Sequence, residues 1–266
     1  MKKGICFYFG YQSDPKERVK LLKDCGFDCV IANADKKFDY QNGSIKTQVK
    51  LFKEHGIELS SLHMQYNHTD LPYFWQEGKL GDELTNKLIK DVKLASKYGF
   101  SCVVVHIEGV PSEIGFERLR KVLKYCEKYD VPLAIENLIK NKDFFVSTFE
   151  NIDHPYLKFC FDIGHNNITK SYFNSLEPYF DKLICLHLHS NMGDTDSHTL
   201  NKYGNIDWSA FAKKLATLDR PINLDYEVLM LKRENETEED VARECIEQAK
   251  QLENLINKYK EKNRSI

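Results

Sequence analysis

Short apolar runs alternate with longer amphipathic stretches along the whole chain. The runs are ICFYF (5–9), CVIAN (29–33), IELSSLH (57–63), CVVVH (102–106), PLAIEN (132–137), LKFCFD (157–162), LICLHLH (183–189) and INLDYE (222–227). Each is short and rich in β-branched or aromatic residues, which predicts a buried strand. Between them apolar residues recur at three- and four-residue spacings, which predicts helices. The first helix opens with Asp14 as N-cap and Pro15 at its first position, and stops at Gly26. Others are predicted from about Ser44 to His55, over DELTNKLIKDVKLASKYG, from about Ser112 to Tyr129 and from roughly Glu236 to Lys260. Strands that alternate with helices imply parallel pairing with helical crossovers. Eight such units in this length predict an α/β protein, a (β/α)8 TIM barrel forming a single domain over residues 1–266. An open doubly wound sheet would carry a Gly-rich phosphate loop after the first strand, where this chain reads FGYQSD.

Composition narrows the picture. The chain has 266 residues, 42% hydrophobic, ample for one sizeable core. With 38 Lys plus Arg against 40 Asp plus Glu, the formal charge is −2, which argues against a nucleic-acid partner. The eight cysteines are scattered with no C-x-x-C pair, and most lie in apolar runs, the usage of a reducing cytosol. The N-terminal apolar run is too short for a signal peptide and no run approaches a membrane span, so a cytoplasmic protein is expected.

The chemistry sits where the strands end. Strand 3 ends at His63, strand 4 at His106, strand 5 at Glu136, strand 6 at Asp162 with His165 three residues on, strand 7 at His187 and strand 8 at Glu227. Asp196 and His198 follow in the loop after strand 7. Charged residues are rarely buried at a strand end without partners, and in a barrel these ends converge on one bowl. A set of two Glu, one Asp and one His suits a divalent ion: Mn²⁺ or Mg²⁺, or Co²⁺ or Zn²⁺ if imidazole dominates. Adding His63, His106, His165, Asp196 and His198 would supply enough ligands for two or three zinc ions, and the ligand count does not choose between these pictures. His189 shares the side of its strand with His187 but lies one layer further out, so it is read as a residue behind the ligands. His55, His68 and His154 are read as solvated. The long loop MQYNHTDLPYFWQEG carries Tyr66, Tyr73, Phe74 and Trp75, which could roof the bowl, form a homo-oligomer contact or pack on the rim. Lys140, Lys232 and Arg233 lie just beyond strands 5 and 8, where a substrate phosphate could be held.

The motifs LAIEN (133–137), FDIGH (161–165), HLHSN (187–191), DSH (196–198) and GNIDW (204–208), in this order, resemble the xylose-isomerase-like TIM-barrel superfamily. That superfamily holds sugar and sugar-phosphate isomerases and epimerases, and the endonuclease IV-type apurinic endonucleases. In the epimerase branch the resemblance implies one divalent ion on Glu136, Asp162, His187 and Glu227, with His165 touching substrate. In the endonuclease branch it implies three zinc ions on these residues together with His63, His106, His165, Asp196 and His198. The departures favour a small sugar or sugar phosphate. Ser197 stands where the endonucleases place Arg, His-Leu-His-Ser replaces a motif close to H-L-N-D, and GNIDW looks like the isomerase ending. Lys202 and Tyr203 stand where a Gly-x-Gly is common, so this loop is expected to be shaped differently. The favoured expectation is an isomerase or epimerase in which Glu136 and Glu227 exchange a substrate proton through an enediolate. The alternative is a zinc-dependent apurinic endonuclease.

Overall fold

The computed structural model describes residues 1–36, 39–65, 67–140, 142–170, 177–229 and 235–264. Eight parallel strands form one sheet: β1 (Lys3–Cys6), β2 (Cys29–Asn33), β3 (Glu58–His63), β4 (Cys102–Val105), β5 (Leu133–Glu136), β6 (Leu157–Asp162), β7 (Leu183–His187) and β8 (Leu224–Tyr226). Neighbours in sequence are neighbours in the sheet, and β8 pairs with β1. The ring closes where Leu188 bridges Tyr226, with Leu188 N–H donating to the Asp225 carbonyl and Glu227 N–H to that of Leu188. The fold is thus the (β/α)8 barrel that the alternation predicts.

The helices around it are α1 (Pro15–Cys25), α2 (Asp39–Asn42), α3 (Ile45–Glu54), α4 (Lys79–Tyr98), α5 (Glu113–Tyr129), α6 (Lys142–Asn151), α7 (Ile163–Thr169), α8 (Trp208–Leu215) and α9 (Glu238–Arg264). Their starts follow local capping chemistry. The side chains of Asp14, Ser44, Ser112, Asp162 and Asp207 each accept a first-turn backbone N–H, which satisfies a donor the helix itself leaves unpaired. Gly26 ends α1 at φ 97°, a conformation that glycine adopts without strain.

Strands 2 and 6 match the sequence reading and the other six differ at their ends, strands 1 and 8 most. Strand 1 spans Lys3–Cys6 rather than 5–9, and Phe7 and Phe9 stay buried beyond it. Phe7 N–H still bonds the Ile31 carbonyl, and the chain then turns at Gly10 with φ 106°. A buried loop exit thus looks apolar like a strand. Strand 8 is only Leu224–Tyr226, so Glu227 is the first residue past it, as His106 is past β4. Both remain at the C-terminal mouth.

The core lies between barrel and helices, where Val19, Phe52, Leu119, Phe159 and Ile246 are buried. Burial of each large side chain contributes roughly 1.5–3 kcal/mol. Seven cysteines are buried and Cys6 is half-buried, all as free thiols. No helix among the described residues is long and apolar enough to cross a membrane.

Candidate metal centre

Every side chain singled out at a strand end reaches one bowl of about 500 Å³, or its floor. Three groups of donor atoms line it, two of them sharing Glu136, and within each group the donor atoms lie within 4.8 Å of one another.

The floor group is Glu136, Asp162, His187 and Glu227. His187 Nδ1 lies 3.2 Å from Glu136 Oε1 and 3.1 Å from Glu227 Oε2. His187 is fully buried, yet neither ring nitrogen makes a hydrogen bond of acceptable geometry. A buried polar group without such a bond is costly, and a cation between the imidazole and the carboxylates removes the cost. A ring nitrogen of His187 also lies within 4.8 Å of the Cys160 and Cys185 sulfurs.

The second group is His63, His106 and Glu136. Nε2 of His63 and Nε2 of His106 are 3.1 Å apart, and both approach Glu136 Oε2, at 3.5 and 3.0 Å. The third is His165, Asp196 and His198, where Asp196 Oδ2 is 3.1 Å from His165 Nε2 and 3.2 Å from His198 Nε2. A tetrahedral ion with bonds of about 2.0–2.1 Å sets its donors roughly 3.3 Å apart, so these spacings fit such ions.

Ring orientation supports the same reading. Nδ1 of His63 donates to the Met64 carbonyl, that of His165 to Asn137 and that of His198 to Glu227. A backbone carbonyl on Nδ1 leaves the Nε2 lone pair for a metal, the usual arrangement around bound ions. His198 holds φ 43°, a left-handed backbone that costs of order 1–3 kcal/mol and concentrates at functional sites.

Charge follows this clustering. Burial alone would lower the pKa of His165, but Asp162, Asp196 and Glu136 outweigh it and raise it to about 10. Burial acts the same way on His198, and Asp196 and Glu227 raise it to about 9. Burial would raise Glu227, yet His187 beside it brings it down to about 2. Glu136 is likewise held well below the usual carboxylate range by His187 and His106, against burial. Burial pushes His106 down. Without an ion, His165 and His198 thus stand protonated beside the carboxylates of the bowl.

Asp162 shows how the local sequence builds the site. It ends β6 and is also the N-cap of α7, its Oδ1 accepting His165 N–H at 2.6 Å. Asn137 clamps its backbone on both sides, donating to the Asp162 carbonyl and accepting its N–H.

Other expectations divide. His68 is exposed as expected, but it pairs with Glu108 at 2.8 Å on the wall of the bowl, a role its loop position does not reveal. Phe74 and Trp75 are buried, and Trp75 packs edge-on against Phe116, so these two pack on the rim. Tyr73 is 40% exposed, and Tyr66 lies outside the described residues. Lys140 lines the bowl, whereas Lys232 and Arg233 lie outside the described residues. The loop carrying Lys202 and Tyr203 is tied to its neighbours through Glu236 and Glu244: Lys202 pairs with both, and the Tyr203 hydroxyl donates to Glu236. Glu108 and Asn137 were not singled out in the sequence. Their one signal is position, two residues past His106 and one past Glu136.

Comparison with known proteins agrees with the fold. The family model "Xylose isomerase-like TIM barrel" matches residues 19–250. Protein y4fM of Sinorhizobium fredii, itself uncharacterized, is 24% identical over 257 residues, covering 83% of each chain. Among solved structures, a D-tagatose 3-epimerase-like protein superposes with a TM-score of 0.74 at 18% identity, covering 98% of this chain and 99% of that one. The D-psicose 3-epimerase of Clostridium cellulolyticum superposes with a TM-score of 0.75 at 16% identity, covering 96% and 99%.

Proposed function

The chain belongs to the xylose isomerase-like TIM-barrel family, and from that premise we propose that it is a divalent-metal-dependent isomerase or epimerase of a small sugar or sugar phosphate. The observation that carries this reading is the floor group: two carboxylates, Glu136 at the end of β5 and Glu227 just past β8, meet at His187 beneath a bowl of about 500 Å³. That volume suits a small molecule. Its described lining includes a single Lys or Arg, Lys140, where a DNA duplex would call for a basic rim. Solved structures that share the fold include a D-psicose 3-epimerase with D-tagatose.

Glu136, Asp162, His187 and Glu227 are the residues that would hold the ion. A divalent ion held there supplies a Lewis acid for a substrate carbonyl and for the negative charge that develops as the neighbouring carbon loses its proton. The chain's own groups do the rest. Glu136 or Glu227 takes that proton, and the other glutamate returns one to the opposite face or to the next carbon. His165, held by Asn137 and Asp196, orients a substrate hydroxyl. His106, kept neutral by burial, fixes Glu136 Oε2.

The test is solvent exchange. Protein loaded with Mn²⁺ or Co²⁺ is incubated in D₂O with a panel of ketoses, aldoses and their phosphates and followed by proton NMR. We expect deuterium at a carbon next to the carbonyl of at least one sugar, abolished by EDTA. No exchange across the panel would overturn the reading.

One observation favours a second reading. The His63–His106–Glu136 and His165–Asp196–His198 groups adjoin the floor group, which suits a three-ion centre for phosphodiester hydrolysis as in an apurinic endonuclease. Zinc-loaded protein that incises DNA at abasic sites, and exchanges no sugar proton, would select it.

A further inference from the structure

His189 is fully buried and lies between two of the donor groups rather than inside either. Its Nε2 is 3.2 Å from Asp162 Oδ1 and 3.1 Å from Asp162 Oδ2, so it straddles the carboxylate. Its ring lies flat on that of His198, with centroids 3.8 Å apart and planes 11° from parallel. Asp196 Oδ1 is 3.8 Å from the same Nε2.

The proton on this ring can be assigned. Nδ1 is buried with no hydrogen-bond partner, and Nε2 faces a carboxylate that only accepts. A proton on Nδ1 would leave a buried donor unpaired and set a nitrogen lone pair against carboxylate lone pairs. A proton on Nε2 avoids both, so Nε2–H donates to Asp162.

The neighbouring backbone is shaped for this ring. A Cβ at Gly164 would fall 1.9 Å from His189 Cε1, so the glycine of FDIGH is the space into which His189 fits. Asn191 donates to the Gly164 carbonyl, and Asn167 donates to Asn191 in turn, which fixes the α7 turn against the strand carrying His189. Two motifs far apart in sequence thus interlock through one imidazole.

We propose that His189 is a positioning residue that couples the two groups: it aims the Asp162 carboxylate at the floor site by a hydrogen bond and holds the His198 ring in place by stacking. This inference rests on the metal reading of the bowl. The Asp162 carboxylate already takes the backbone N–H of His165 on Oδ1, so its remaining lone pairs depend on where the His189 donor sits. The stack meanwhile fixes the ring whose Nδ1 is already held by the Glu227 carbonyl, and so fixes where its Nε2 points. Outer partners of this kind are worth about 10–100-fold in metal affinity.

The test compares wild type, His189→Ala, His189→Gln and the control His154→Ala, a half-buried histidine that does not line the bowl, each stripped with EDTA and checked for fold by circular dichroism. Co²⁺ binding is followed by titration calorimetry and by the visible Co²⁺ spectrum. We expect His189→Ala to bind Co²⁺ about 10–100-fold more weakly, with an altered spectrum. His189→Gln, whose amide N–H can take the place of Nε2–H, should recover most of the loss. His189→Ala binding as wild type with an unchanged spectrum would overturn the positioning role alone. His189→Gln no better than His189→Ala, with both folded, would overturn the hydrogen-bond half of the role. Wild type that binds no Co²⁺ would overturn the metal reading and this inference together.

Discussion

His165 and His198 face the same oxygen of Asp196 with Nε2 while their Nδ1 atoms are tied to backbone carbonyls. In the ion-free fold both imidazoles titrate above 6.5, at about 10 and about 9. Their share of ion-free stability is therefore complete below about 6.5 and is lost as pH rises through about 9 and 10. Glu227, at about 2, contributes in the opposite sense: its share is present above the ordinary carboxylate value and lost as pH falls. Urea denaturation of EDTA-treated protein should show lower stability above pH 10 than at pH 7. An ion on the floor group must displace the proton of His187, whose pKa Cys160, Glu136 and Glu227 raise well above its ordinary value against burial, so Mn²⁺ binding should release protons near neutral pH, read as a buffer-dependent heat in calorimetry. On the proposed mechanism, Glu227→Gln should lower turnover of an exchanged sugar by about 10²–10⁴-fold with an unchanged circular dichroism spectrum. Turnover at the wild-type rate would remove Glu227 from proton transfer.

Elements carry two further expectations. Asp162 closes β6, starts α7 and belongs to the floor group. Asp162→Asn keeps an acceptor for His165 N–H but loses the charge, whereas Asp162→Ala loses both. Both should lose Mn²⁺ in equilibrium dialysis, and in EDTA only Asp162→Ala should lose the cap, worth about 1 kcal/mol in urea unfolding. The second concerns the loop into α8. A Cβ at Gly204 would fall 2.0 Å from Ser190 Oγ and 2.6 Å from the Asn191 carbonyl oxygen. Its φ of −140° is ordinary extended backbone, so the constraint is space alone. Gly204→Ala should cost about 1–3 kcal/mol, measured as a lower urea midpoint with an unchanged slope. In the same loop Lys202 pairs with Glu236 and Glu244 and the Tyr203 hydroxyl donates to Glu236, which ties it to the segment leading into α9 and to α9 itself.

At the scale of the whole molecule, the barrel was legible because alternation of strand and helix leaves a periodic record in the chain. Strand ends were blurred where burial continues past the ladder, as at Phe7 and Phe9. The site residues were legible as polar side chains that interrupt apolar runs, and the bowl gathers all nine. Their pairings were not, because each joins distant segments: His189 to Asp162, Asn137 to Asp162, His68 to Glu108. Such contacts exist only once the sheet has closed. The central claim is that the strand ends form a divalent-metal centre, and crystals of the protein grown with Mn²⁺ test it most directly. We expect an anomalous peak within bonding distance of Glu136, Asp162, His187 and Glu227. A crystal grown with Mn²⁺ whose manganese lies away from these four residues, or that holds none, would contradict it.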